Sequence, residues 1–155
     1  MLPDHPRRAD VHAVLVESDE RSAGPARQTA ADRDLDQVEV RTADASLVAS
    51  FADALPADIL LLCGIFGNIS NQDIERTIQT APGLCRAGAT VIWTRGRFAP
   101  DLTPQVRVWF TRNGFEEVAF DILGSDAMMS VGAARLTAAP PAAAPPDAPL
   151  FTFRR

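Results

Sequence analysis

The sequence has 155 residues, 46% of them hydrophobic and 23% charged, which fits one soluble globular domain of ordinary size. The formal net charge of −5 favours neither nucleic acid nor an anionic lipid surface as a partner, and no apolar run approaches the ~20 residues that span a bilayer. The charged N-terminus lacks the apolar core of a signal peptide, so we expect a cytoplasmic protein. Its two cysteines, Cys63 and Cys85, are predicted to be buried thiols, and no residues have the spacing of a metal site.

The chain begins with a predicted strand and helix. Residues 11–16 are apolar at nearly every position, as in a strand buried on both faces of a parallel sheet, and the run ends at Glu17. Residues 21–34 predict a helix, with Gly24 and Pro25 in its first turn or just before it.

The second predicted strand is residues 38–42, which stops just before Asp44 and Ala45. Residues 46–55 then predict a short helix for which Ser46 is the cap.

Residues 58–65 give the clearest strand signal, because they are apolar after the first position, and we expect this strand to be central in the sheet. Ser70 and Asp73 follow with the spacing of a capping box. The helix that they open is predicted to bury two isoleucines and to end at a proline–glycine pair: Ile74, Ile78, Pro82 and Gly83.

The next strand is predicted at residues 89–93, with a polar loop at residues 94–97. Thr103 and Pro104 open the last helix in the favoured cap-then-proline order. Its apolar face and its termination signal are Val106, Trp109, Phe110, Asn113 and Gly114.

Residues 115–120 and 128–136 are two strands with no helix between them, so they must be antiparallel. The predicted fold is therefore α/β, with a mostly parallel sheet that ends in an antiparallel pair, and we assign it to residues 1–137. Residues 138–155 form an Ala/Pro-rich tail, extended and mobile at first, whose residues 150–153 can dock back onto the domain.

Acids stand at the carboxyl ends of the first two strands, where open parallel sheets bind ligands. Glu17 can accept hydrogen bonds from ribose hydroxyls, or it is a solvated acid beside Asp19. Asp44 with the Ala45 amide can meet an adenine, or it is a turn aspartate. Two acids at successive strand ends together favour an adenosine site.

Residues 63–68 (CGIFGN) place two glycines after the strongest strand. Glycine there indicates close approach of the backbone to a ligand, or close packing of the turn against a helix. Cys63 is more typical of a core residue than of a nucleophile, because no histidine is placed to activate it. Arg95 and Arg97 can bind an anionic group or be solvated. No catalytic residue is identified.

In this order, these segments resemble the class I S-adenosylmethionine-dependent methyltransferases over residues 11–136. The resemblance implies a Rossmann-like, doubly wound sheet with S-adenosylmethionine as the cofactor. It also implies that Glu17, Asp44 and Ala45 hold the adenosine. In the same way it implies that residues 63–66 line the junction of cofactor and acceptor. The cofactor-binding residues so implied are Glu17, Asp44, Ala45, Cys63, Gly64 and Phe66.

The sequence departs from the family pattern at its start. The family's first strand ends in a Gly-x-Gly turn that approaches the methionine part of the cofactor, but only ten residues precede Val11 and none is glycine. We therefore expect an N-terminally truncated domain with weakened cofactor binding. We also expect an exposed strand edge, which a second copy or a partner covers.

The resemblance implies methyl transfer to an unidentified acceptor. The Asp/Asn-Pro-Pro-aromatic motif of nucleobase amine methylation is absent after the strongest strand, and this favours a small-molecule acceptor. Two alternatives remain: a non-catalytic binding or dimerisation module derived from a methyltransferase and, third, a nicotinamide-dependent oxidoreductase.

Overall fold

The structure is a computed structural model that describes residues 4–125, 127–147 and 149–154. Its contacts divide the chain into two compact units, Met1–Ala54 and Leu55–Arg155. The division of the chain into a domain and a tail after residue 137 stays a prediction. Across the described ranges, no helix is long and apolar enough to cross a membrane.

The first unit contains a β-α-β arrangement: β1 (Ala13–Glu17), α1 (Glu20–Asp32) and β2 (Val38–Thr42). The two strands are parallel, and Glu17 lies opposite Thr42 at their carboxyl ends. The predicted strand–helix–strand order is confirmed, and β2 has the predicted bounds.

Helix α1 begins earlier than predicted, because Asp19 caps it: its Oδ1 accepts a hydrogen bond from the Arg21 N–H at 2.9 Å. Pro25 is therefore the sixth residue of the helix, beyond the first turn. The predicted placement of Pro25 is wrong because the pattern of the sequence did not reveal this cap.

The predicted helix at residues 46–55 is replaced by two short 3₁₀ helices, Val48–Ser50 and Ala52–Ala54. Ser46 is not a helix cap. Its N–H donates instead to Asp44 Oδ1 at 2.8 Å, which makes Asp44 the residue that organises this turn.

The second unit is a four-stranded sheet with two α-helices in its connections. Its strands in chain order are β3 (Ala57–Leu62), β4 (Cys85–Gly96), β5 (Phe115–Leu123) and β6 (Met129–Leu136). They are arranged in the sheet as β3-β4-β6-β5, in which β3 and β4 are parallel and β6 is antiparallel to both of its neighbours. The predicted α/β class with a terminal antiparallel pair is confirmed. The two helices are α2 (Asn71–Thr80), between β3 and β4, and α3 (Thr103–Arg112), between β4 and β5.

Strand β3 lies at an edge of the sheet, so its predicted central position is wrong for the described residues. Leu62 is 4% exposed, but Ile59 and Leu61 are 62% and 60% exposed. Strand β3 is apolar on both faces. Among the described residues of the second unit, however, only one face of β3 is covered and only one of its edges is hydrogen-bonded to another strand. A long apolar run does not by itself distinguish a central strand from an apolar edge strand.

The capping residue predicted from the sequence is correct for α2 and wrong for α3. In α2, Ser70 Oγ accepts from the Asp73 N–H at 3.0 Å, and Ile74 and Ile78 are fully buried, as predicted. In α3, Thr103 is the first helical residue and not its cap. The Oδ1 of Asp101 accepts from the Thr103 N–H at 2.9 Å instead.

The core of the second unit is built around Trp93, whose side chain is 2% exposed. Its ring centroid lies 6.2 Å from that of Phe66, 6.1 Å from that of Phe110 and 5.9 Å from that of Phe120. Gly132 is the residue opposite Trp93 in the neighbouring strand β6. A Cβ atom at Gly132 would lie 2.3 Å from the indole, so only glycine admits the ring there.

The end of the chain docks onto the second unit, as predicted. Leu150 and Phe151 are 3% and 2% exposed, and Phe153 forms an antiparallel bridge with Ile69. The backbone N–H of Arg154 donates to the carbonyl oxygen of Asn68 at 2.7 Å. The last residues thus pack against the segment that joins β3 to α2.

Candidate functional site

In the first unit, two acids stand at the carboxyl ends of neighbouring parallel strands. Glu17 ends β1 and is half-buried, whereas Asp44 lies two residues beyond β2 and is exposed. Glu17 Oε1 accepts from the Asp19 N–H at 2.8 Å, and Asp44 Oδ1 accepts from Ser46. Within the described residues, the second oxygen of each carboxylate has no hydrogen-bond partner. Each acid can therefore accept donors from a ligand.

Ala45 follows Asp44 and is half-buried. Its backbone N–H has no hydrogen-bond partner in the part of the chain that the structure describes. An acceptor beside a free N–H is the donor–acceptor pair that the edge of an adenine requires. The residues present thus fit an adenosine group, and their assignment to the cofactor stays a prediction.

A second polar cluster, which sequence reasoning missed, holds α1 against β2 next to these acids. Arg27 donates from Nη1 to Glu20 Oε1 at 2.7 Å, from Nε to the Val40 carbonyl oxygen at 3.1 Å and from Nη2 to Thr42 Oγ1. Hydrogen bonds from Thr42 and Arg27 hold the pKa of Glu20 below its usual value. The partners in these hydrogen bonds lie 7 to 22 positions apart, so no local pattern indicates the cluster.

In the second unit, residues 63–68 form the turn that follows β3. Gly64 has a positive φ of 75°, its N–H donates to Thr94 Oγ1 at 3.0 Å, and its carbonyl oxygen accepts from Asn68 Nδ2 at 2.7 Å. A Cβ atom at Gly64 or at Gly67 would meet nothing within 4 Å. The alternative of close packing against a helix is therefore wrong for both glycines. Gly64 serves the left-handed turn, and the space beside it is open.

In this turn Cys63 is exposed to solvent, whereas Phe66 is buried in the core. The thiol of Cys63 is exposed, so its predicted burial is wrong, whereas that of Cys85 is confirmed at 2% exposure. Phe66 is fully buried against Trp93 and anchors the turn in the core. Its ring has no surface for a ligand in this conformation, and its proposed role in cofactor binding stays untested.

Strand β4 extends through Gly96, so the predicted loop position of Arg95 is wrong, whereas Arg97 lies in the loop after the strand as predicted. Arg97 is ion-paired with Asp101, with Nε 3.0 Å from Oδ2. Arg95 is part of the strand, and its Nη1 donates to the carbonyl oxygen of Phe66. The Nε atom of Arg95 is buried and has no hydrogen-bond partner in the described part of the chain, and burial lowers the pKa of this side chain.

No group of three or more histidine, cysteine, aspartate or glutamate side chains within the described ranges could hold a metal ion. The chemistry available is thus that of hydrogen-bond acceptors in the first unit, and of an exposed thiol, an open glycine turn and an arginine in the second.

Comparison with known proteins yields similarity of fold. No family model matches the sequence, and no curated protein matches it. Many solved structures are similar in fold, and three of them illustrate the likeness. The N-methyltransferase NodS from Bradyrhizobium japonicum is 15% identical with a TM-score of 0.63, over 81% of this chain and 73% of that chain. Another NodS structure holds S-adenosyl-L-homocysteine.

The second is an O-methyltransferase family protein from Burkholderia thailandensis, 14% identical with a TM-score of 0.61, over 86% of this chain and 53% of that chain. The third is the fibrillarin pre-rRNA processing protein of Methanococcus jannaschii, 12% identical with a TM-score of 0.64, over 84% and 58%. The chain thus spans about half to three quarters of the length of these structures. The predicted resemblance is confirmed as one of fold.

Proposed function

We propose that this chain, which has the fold of the class I S-adenosylmethionine-dependent methyltransferases, binds that cofactor and takes part in methyl transfer. One observation carries the proposal: Glu17 and Asp44 stand at the carboxyl ends of adjacent parallel strands, each with one carboxylate oxygen free within the described residues. The S-adenosyl-L-homocysteine held by NodS, which has the same fold, supports the choice of cofactor.

Three residues of the first unit hold the adenosine in this proposal. Glu17 accepts hydrogen bonds from the ribose hydroxyls, and Asp44 accepts from the exocyclic amine of the adenine. The free N–H of Ala45 donates to a ring nitrogen. The cofactor supplies an activated methyl group on a sulfonium, which is already a good leaving group.

The remaining work is positioning, because holding an acceptor in line with the methyl group supplies most of the rate without an acid or a base. No catalytic acid or base is assigned. A small-molecule acceptor is proposed because the chain is acidic and lacks the nucleobase amine motif.

The test is a calorimetric titration of the 155-residue protein with S-adenosylmethionine, repeated with Glu17→Ala and Asp44→Ala. Removing an ionised acceptor is expected to weaken binding about tenfold to a hundredfold. Asp36→Ala is the matched control, since it removes an exposed acid of the same unit that is remote from both strand ends. The control is expected to bind like the unaltered protein.

Other outcomes separate the alternatives. Folded protein that binds no S-adenosylmethionine contradicts the proposal and favours the non-catalytic module, whose supporting observation is the exposed apolar edge strand β3. Binding of NADH in place of S-adenosylmethionine favours the oxidoreductase. Equal affinity in all three variants contradicts the assignment of the adenosine site.

A further inference from the structure

Arg95 is a half-buried cation that has no acidic partner among the residues that the structure describes. Within the described residues, no carboxylate lies within ion-pair distance of it, although eight other arginines form ion pairs. The nearby acid Asp101 opposes part of the charge of Arg95, but one of its oxygens is engaged by Arg97 and the other by Thr103. A guanidinium withdrawn from water without a counter-charge is costly unless a ligand supplies that charge.

The hydrogen bonds of Arg95 leave one side of its guanidinium free. Nη1 donates to the carbonyl oxygen of Phe66, whereas Nε has no partner among residues 4–125, 127–147 and 149–154 and is sheltered from solvent. Nε and Nη2 form the side-on pair of donors in a guanidinium, which matches the two oxygens of a carboxylate or a phosphate. The donor that the fold leaves unpaired is thus one that a planar oxyanion requires.

A second arginine is brought to the same turn by the end of the chain. Leu150 and Phe151 are buried in the second unit, and the backbone N–H of Arg154 donates to Asn68 at 2.7 Å. Arg154 is exposed, and its charge lowers the pKa of Arg95, although by less than the charge of Asp101 raises it. Two like charges held at one turn of an acidic protein repel each other, and an anion between them relieves that repulsion.

We propose that Arg95 and Arg154, at the turn of residues 63–68, form a binding site for an oxyanion, a carboxylate or phosphate group carried by the methyl acceptor. The statement that this anionic group belongs to the methyl acceptor rests on the proposed function. The site places the anionic group next to Cys63 and Gly64, the exposed part of the turn. It restricts the acceptor to small molecules with an acidic group.

Anion binding is tested directly, without cofactor, by following the Arg95 Nε–H resonance in NMR titrations of the 155-residue protein. The probes are sodium phosphate and sodium acetate, with sodium chloride at matched ionic strength as the reference. A saturable shift with phosphate indicates that the acceptor carries a phosphate, and one with acetate indicates a carboxylate. Absence of a saturable shift with both probes overturns the proposal.

Variants assign the effect to the two arginines, with binding followed through the Gly64 N–H resonance. Arg95→Gln and Arg154→Gln are each expected to weaken binding of the effective probe by about tenfold or more. Arg95→Lys keeps the charge but loses the paired N–H donors of the guanidinium, so it is expected to bind the anion more weakly than the unaltered protein. This variant tests the site even if Arg95→Gln does not fold. Arg33→Gln, at the exposed end of α1, is the control of equal charge change.

The two proposals fail separately. Protein that binds S-adenosylmethionine but shows no saturable anion shift overturns the oxyanion site alone. Protein that binds the anion but no S-adenosylmethionine overturns the proposed function alone and leaves the arginine pair as an anion site. Anion affinity in Arg95→Lys and Arg154→Gln equal to that of Arg33→Gln overturns the assignment to these residues.

Discussion

The hydroxyl oxygen of Thr77 in α2 lies 3.1 Å from the carbonyl oxygen of Leu150, a residue 73 positions later in the chain. The same hydroxyl oxygen lies 2.7 Å from the Asp73 carbonyl oxygen within the helix, so its single hydrogen can be donated to either acceptor. Thr77 is fully buried, and Leu150 is 3% exposed. The end of the chain is therefore part of the core of the second unit.

Replacing a buried aromatic residue in this terminal segment is expected to destabilise the second unit. Phe151→Ala removes a side chain that is 2% exposed and should lower the free energy of unfolding by ~3 kcal/mol. Phe153→Ala is the matched control, because that ring is 42% exposed and should cost ~1 kcal/mol or less. Urea unfolding followed by tryptophan fluorescence measures both, since Trp93 and Trp109 lie in the second unit. A change of ~1 kcal/mol or less in Phe151→Ala would contradict the contribution of this segment to the core.

Adding one methyl group opposite Trp93 is expected to disturb the sheet. In Gly132→Ala the new Cβ would lie 2.3 Å from the indole, and overpacking of this kind costs roughly 1–3 kcal/mol. Gly67→Ala is the control, because a Cβ there meets nothing within 4 Å and its change should stay within about 0.5 kcal/mol. The same fluorescence-detected unfolding applies. Unchanged stability in Gly132→Ala would contradict the packing of Trp93 on β6.

The two cysteines are expected to differ in reactivity. Cys63 is exposed, whereas Cys85 is 2% exposed and burial raises its pKa to about 11. Ellman's reagent at pH 8 should modify one thiol in the native protein and two in urea. In the Cys63→Ser variant, native protein should not react. Modification of both thiols at the same rate would place Cys85 at the surface.

The raised pKa of Cys85 also sets a direction for alkaline stability. The folded pKa lies above the ordinary value of 9.0, so the unfolded chain loses this proton first. The contribution to stability is complete below pH 9 and decreases as the pH rises from 9 towards 11. In Cys85→Ala, unfolding measured over this range is expected to lose that part of the pH dependence. An unaltered alkaline slope in the variant would contradict the assignment.

Acid is expected to weaken the first unit through Asp53. Arg41 donates to its two carboxylate oxygens at 2.6 and 2.8 Å, which lowers the pKa of Asp53 from 3.8 to about 2. Because the folded pKa is the lower one, the stabilisation is present above pH 4 and is lost as the pH falls towards 2. Amide NMR signals of β2 during acid titration should show an earlier loss of structure in Arg41→Gln. Asp36→Asn, which changes an exposed acid of the same unit, should titrate like the unaltered protein.

A charge on the exposed edge strand is expected to reduce self-association. Leu61→Lys replaces a side chain that is 60% exposed on β3, and a lysine at an unpaired edge opposes strand pairing between molecules. Sedimentation velocity over a range of concentrations should show less association than in the unaltered protein. Val108→Lys, on the exposed face of α3, controls for the added charge and should not have this effect. The same association in both variants would exclude β3 as the associating edge.

Patterns that act within one turn of the chain were sufficient to predict much of the structure. The bounds of β2, the cap formed by Ser70 and the end of α3 at Asn113 and Gly114 depend on neighbours a few positions apart. The same holds for the candidate acids, because a carboxylate directly after an apolar run must lie at the end of a strand. Glu17 and Asp44 lie at strand ends as expected, whereas their binding of adenosine stays a prediction.

What the sequence by itself determined about this protein is the order of its strands and of helices α1, α2 and α3, the antiparallel pair and the placing of its acids at strand ends. Only the tertiary structure decided that β3 is an edge strand, that Gly132 admits Trp93 and that Arg95 and Arg154 meet at one turn. The physical reason is the range of the interactions. Backbone hydrogen bonding and apolar periodicity are local, whereas sheet neighbours, ring packing and the pairing of charges join residues that are tens of positions apart.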